Sequence, residues 1–193
     1  MSVTFQTPLF PLSAHLLPGG KMSLRIFEPR YVRMVKESLK AQQGFGVCML
    51  NSKGDKELNQ HIYPVGTYAK VIDFDMLDDG LLGITVEGEF LFSIDSIETE
   101  HDELRVGNVH RIDAWHAETF PDCEATALQE RLVQIIASYP ELHALYSEPP
   151  VSDMSWVVYR WLELLPIKAA DKQQLLEQED PKVVVDFLAS LIE

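Results

Sequence analysis

The residue types that could do chemistry stand at spacings that complete no catalytic or metal-binding template. Gly19, Gly20, Lys21, Met22 and Ser23 come nearest to a phosphate-cradling loop, in which backbone N–H groups and a lysine hold a nucleotide. The G-x-x-x-x-G-K-[ST] pattern fails twice: His15 occupies the first glycine position, and Met22 stands where a hydroxyl is required. Glu28 and Arg30, on either side of Pro29, suggest an acid–base pair, but glycosidase-type chemistry needs two carboxylates and Glu28 has no evident partner. An isolated Ser and Lys make no peptidase dyad either, since the lysine must be desolvated beside the hydroxyl to act as a base. His110, His116 and Cys123 are the one grouping of ligand types, and they match neither H-E-x-x-H nor Cys-x-x-Cys. The acidic run at residues 73–79, DFDMLDD, lacks the glycine and distal glutamate of a calcium loop and reads as a charged hairpin tip. The expectation is a chain with no catalytic residue, no cofactor and no metal.

The elements that must position these residues are organised around residues 8–34. A short apolar strand at Thr7 to Phe10 runs into a loop punctuated by Pro11, Pro18, Gly19 and Gly20, where proline fixes φ and glycine permits φ > 0. Met22, Leu24 and Ile26 alternate with Lys21, Ser23 and Arg25, the period of a half-buried strand. Pro29 suits the first helical position, and Glu28 beside it offsets the unpaired N–H groups and dipole of the helix start. Arg30 is then expected to pair with an acidic group on the β domain. Tyr31, Val32, Met34, Val35 and Leu39 form the buried stripe of that helix, and Tyr31 and Met34 read as core. Arg33, Lys36, Glu37 and Lys40 form its solvated face, with Arg33 paired to Glu37.

Further strands are expected at Gly44 to Leu50, Tyr63 to Phe74, Leu82 to Ile97 and Leu104 to Ala114, with Asp79-Gly80 turning a hairpin. Many short strands with close turns suggest a closed or nearly closed barrel without exposed edges. Composition then changes. Apolar residues at helical spacing recur between Ala125 and Tyr139, between Met154 and Leu165, around Leu175, and from Asp180 to Ile192, where Asp180 reads as an N-cap. Residues 146–153, YSEPPVSD, read as a flexible link within this half. The expected division is a strand-rich domain over residues 1–118 and a helical one over 119–193.

Three stretches resemble a known family. PLFPL followed by LPGGKMSLRIFEPRY and Met34, then residues 65–94, VGTYAKVIDFDMLDDGLLGITVEGEFLFSI, then Leu164 to Leu188, together look like the Lon substrate-binding domain in its stand-alone form. The resemblance covers nearly the whole chain. It implies an α+β fold: an N-terminal PUA-like β-barrel domain with one inserted helix, followed by a C-terminal helical bundle. Pro11, Pro18, Gly19, Phe27, Glu28, Pro29, Arg30 and Tyr31 carry the family motif and read as structural. The resemblance also implies non-catalytic recognition of a polypeptide client or protease partner, because the ATPase and peptidase domains of complete Lon enzymes would not fit in this length. Recognition needs an exposed apolar patch or a free strand edge. Leu16 and Leu17, with Met22, are the candidates for that patch, since apolar residues in a Pro/Gly loop are hard to place in a core. The competing placement has them plugging the end of the barrel.

Charge narrows the remaining classes. The chain has 193 residues, of which 46% are hydrophobic, and a net charge of −14. Residues 1–72 hold nine Lys or Arg against four Asp or Glu, which leaves seven against 26 for the rest. Such a balance repels phosphate backbones, so nucleic acid is disfavoured, although PUA-like folds often bind RNA. A small-molecule site between the two parts is the other alternative. No apolar run is long enough to span a membrane and no secretory leader is visible, so a cytoplasmic protein with Cys48 and Cys123 as thiols is expected.

Overall fold

A computed structural model describes residues 3–113, 115, 120 and 122–192, apart from the side chains of residues 122–124. The chain divides into two compact units, residues 1–113 and 114–193. The boundary expected at 118/119 lies outside the described residues. No helix among the described residues is long and apolar enough to cross a membrane.

The first unit runs β1 (Thr4–Leu12), β2 (Lys21–Ile26), α1 (Pro29–Ala41), β3 (Phe45–Leu50), β4 (Ile62–Met76), β5 (Leu82–Thr99) and β6 (Arg105–Arg111). These strands make one six-stranded sheet in the order β2-β5-β4-β3-β1-β6. β1 and β3 pair in parallel, which requires a crossover, and β2 with α1 supplies it. All other pairings are antiparallel. The long β5 also pairs with β6 from Phe92 to Thr99, where its pairing with β4 ends at Ser93, and this second ladder has a register shift between Ile94 and Ser96. The expectation of a closed or nearly closed barrel without exposed edges is met only in part: β6 pairs back with β5, but the sheet keeps an open edge. β2 pairs with β5 alone, so one of its edges stays open among the described residues.

Two apolar clusters hold this unit. The larger joins the buried stripe of α1, Tyr31, Met34 and Val35, to Phe10, Phe45 and Val86 of the sheet. The smaller contains Leu9, Cys48, Ile62, Phe92 and Val109. Gly46 makes room there, because a Cβ on it would stand 2.6 Å from the Phe92 ring. Cys48 is a buried thiol, pushed above its ordinary value by desolvation.

Residues 114–193 contribute α2 (Asp122–Ser138), α3 (Pro140–Leu145), α4 (Met154–Leu164), α5 (Ala169–Leu176) and α6 (Pro181–Ile192). Pro140, directly after Ser138 and Tyr139 at the end of α2, starts α3 as its first residue, where its missing N–H costs nothing. Asp153 caps α4 by accepting from the N–H groups of Ser155 and Trp156. Asp180 accepts from the Lys182 N–H at 2.9 Å and starts α6 as expected. Residues 146–153 are a hydrogen-bonded turn, anchored by Tyr146 edge-on to Trp156. Trp115 stacks on Tyr159 and donates to the Gln178 carbonyl at 2.7 Å.

Candidate functional site

The loop between β1 and β2 is fastened down rather than offered to solvent. Thr67 Oγ1 donates to the Leu16 carbonyl at 2.7 Å. Gly19 N donates to the Gly88 carbonyl, and Gly88 N to the Gly20 carbonyl, which ties the loop to β5. Only glycine fits at residue 88, because a Cβ would lie 2.5 Å from the Leu17 carbonyl oxygen. Leu16 and Leu17 are therefore 3% and 1% exposed, and Met22 is half-buried against the larger cluster. This corrects their expected role as the apolar patch: the placement in which they plug the fold is the one observed.

Exposed apolar surface lies elsewhere, at the other end of β2. Phe74 and Met76 of β4 stand opposite Ile84 and Leu82 of β5, which stand opposite Leu24 and Ile26 of β2. Cross-strand partners share a face of a sheet, and so do residues two apart. This apolar face thus begins in the core at Ile26 and Ile84 and runs out to Phe74 and Met76, which are 60% and 65% exposed. Phe27, directly after β2, is 69% exposed. A shallow groove of about 380 Å³ follows this face, lined by Leu24, Phe74, Leu77 and Ile84, with Arg25, Asp73 and Asp75 among its polar residues. Of the acidic run, Asp79 serves the hairpin tip as expected, while Asp73 and Asp75 lie on β4. Asp73, Asp75 and Asp79 accept from nearby backbone N–H groups, Gly80 takes φ 81°, and Asp79 pairs with Arg25.

A second, deeper cleft of about 250 Å³ opens at the first turn of α1. Glu28 makes no capping hydrogen bond with its side chain, which instead accepts from Arg30 Nη2 at 2.8 Å. Arg30 Nη1 donates to the Glu103 carbonyl at 3.0 Å, so its acidic partner is its neighbour in sequence and its contact to the sheet is a backbone oxygen. Arg105 and Lys56 also line the cleft, together with His61, which is 6% exposed and whose Nδ1 has no hydrogen-bond partner. Burial, then the charges of Arg105, Lys56 and Arg30, hold His61 below its ordinary pKa.

Of the remaining motif residues, Pro11 lines this cleft, Pro29 opens α1, and Gly19 turns the loop at φ 74° next to Pro18. Tyr31 is buried with its ring 4.3 Å from that of Phe10. His110 pairs with Asp95 at 2.9 Å, while His116 and the Cys123 side chain lie outside the described residues. No group of three or more His, Cys, Asp or Glu among the described residues is placed to hold a metal ion.

The fold and groove belong to a mixed α+β class in which a sheet unit precedes a set of helices. Residues 6–192 match the family model of the ATP-dependent protease La (LON) substrate-binding domain, and the chain belongs to that family. It is 23% identical to the Lon proteases of Cytophaga hutchinsonii, over 193 aligned residues, and Parabacteroides distasonis, over 176. Those alignments take in 96% and 88% of this chain but 24% and 21% of the relatives, so it spans about a quarter or less of their length. Among solved structures, a Lon N-terminal domain protein from Xanthomonas campestris superposes with a TM-score of 0.71 at 27% identity, covering 96% of this chain and 98% of that one. The N-terminal domain of the Mycobacterium avium complex Lon protease superposes at 0.70 and 14% identity, covering 96% and 97%, a likeness of fold.

Proposed function

We propose that this protein is a non-catalytic module that binds polypeptide, in the service of proteolysis or protein quality control. The single observation that carries the reading is the apolar face of β2, β5 and β4, which leaves the core and ends in exposed Phe74 and Met76 on the stretch of β4, Val71 to Met76, that pairs with β5 but not with β3 and so has an open edge among the described residues. An extended peptide can add to such an edge through main-chain hydrogen bonds while its alternate side chains enter the groove. Its apolar floor selects exposed hydrophobic segments of unfolded chains, and it performs no chemistry on them. Membership of a family named for substrate binding supports the same reading, and so does a match confined to the first part of Lon proteases. We further take the curl of the sheet, with β5 reaching β6, as PUA-like, the unit boundary as near residue 118, and the site of action as the cytoplasm.

The test is capture of a reduced, carboxymethylated client by the full chain without nucleotide. Phe74→Ser and Met76→Ser should each weaken capture about tenfold, the loss expected from one buried apolar side chain. Equal capture by all variants would remove this surface.

A further inference from the structure

The cleft at the start of α1 carries charge that nothing in the fold uses. Arg30 is matched by Glu28 and Arg25 by Asp79. Arg105 donates only to neutral oxygens, Asn59 Oδ1 at 3.1 Å and the carbonyls of Glu103 and Lys56 at 2.7 and 3.2 Å. Neither Arg105 nor Lys56 has a carboxylate partner among the described residues, in a chain of net charge −14. His61, whose buried Nδ1 is unpartnered, also lines the cleft, and leaving such a group unsatisfied costs on the order of 1–3 kcal/mol. Phe10, Ile26 and Tyr31 supply a buried apolar wall. The cleft thus suits a singly charged anion attached to an apolar body, whereas a phosphate would leave that wall uncovered.

We propose that this cleft receives the C-terminal carboxylate and last apolar side chain of a bound polypeptide. The assignment rests on the polypeptide-binding reading and names the part of the ligand that is recognised. Its position supports this: the cleft and the apolar groove share Leu24 and Arg25, so a chain lying along β2 arrives at the cleft with its end. Lys56 and Arg105 attract the carboxylate, and His61, neutral in its buried setting, donates from Nδ1 to one oxygen. Arg105 is a positioning residue as well, since its other bonds hold the 51–61 segment that carries Lys56 and His61.

The experiment is fluorescence anisotropy on the full chain with a labelled apolar heptapeptide ending in leucine, as the free acid and as the C-terminal amide. N-Acetylleucine is the competitor. The free acid should bind about tenfold more tightly than the amide, the worth of a charge-assisted hydrogen bond. Lys56→Glu and His61→Gln should erase that difference, and Lys53→Glu, on the same segment but outside the cleft, should keep it. Lys56 is exposed, so its variant tests the idea even if His61→Gln fails to fold. Equal binding of acid and amide would overturn the assignment and leave polypeptide binding standing. So would capture of an unfolded client with no binding of either peptide. Displacement by N-acetylleucine at the affinity of the peptide would overturn it in favour of a free small acid. Failure of both client and peptides to bind would overturn the functional reading itself.

Discussion

Arg33 grips Asp102 with two parallel hydrogen bonds, Nε to Oδ2 at 2.8 Å and Nη2 to Oδ1 at 2.9 Å. The same guanidinium reaches Glu37 one turn along α1, as the spacing predicts, and Glu100 at the end of β5. One side chain thereby ties the helix to the turn between β5 and β6, and the paired geometry is the strong form of such a bond. Arg33, the arginine of the solvated face of α1, is spent on the protein's own carboxylates, which weakens an RNA-binding reading further.

That clamp makes stability depend on acid. Hydrogen bonds from Arg33 hold the Asp102 carboxyl down to about 2, below its ordinary 3.8. The depressed value means that the stabilisation is complete above about pH 4 and is lost as pH falls toward 2. Urea denaturation between pH 2 and 6 should show this loss. Asp102→Asn should lower the midpoint at pH 6 and flatten the slope in that window.

His61 should add a second pH dependence with the same sign at higher pH. Its folded value lies below the ordinary 6.5 because of burial and the nearby cations, so the unfolded chain takes up a proton first. Stability should be greatest above pH 6.5 and decline as pH falls below it. His61→Phe should remove this part of the decline, as read from urea midpoints between pH 5 and 7.5.

Leu16 belongs to the core, so its truncation should act on stability and not on capture. Leu16→Ala should destabilise the fold by about 2–5 kcal/mol, the range for a buried leucine, in equilibrium urea unfolding. Client capture per folded molecule should remain as in the wild type. A stable variant with impaired capture would return this loop to the binding surface.

Much of the scaffold was legible because it is local. Met22, Leu24 and Ile26 alternate, Asp79-Gly80 turns a hairpin, and Pro29 opens a helix, each within a few residues. The misplaced residues depend on distant partners. Leu16 and Leu17 look exposed until Thr67 and Gly88, at least 51 residues away for the Thr67 bond, are brought against their loop. The α1 cleft assembles Arg30, Lys56, His61 and Arg105 from separate elements, and no spacing rule connects them. Phe27, an aromatic directly before Glu28-Pro29, gives no sign in the sequence of its 69% exposure. The open edge of β2 was hidden for another reason: alternation predicts a strand but is silent about how many neighbours it has.

Polypeptide binding without chemistry is tested most directly by one titration, in which an unfolded, carboxymethylated protein is added to the full chain by calorimetry without nucleotide. It predicts saturable binding, an intact client on a gel afterwards, and about tenfold weaker affinity for Phe74→Ser and Met76→Ser. Heat of mixing alone, a cleaved client, or equal affinity in those variants would contradict it.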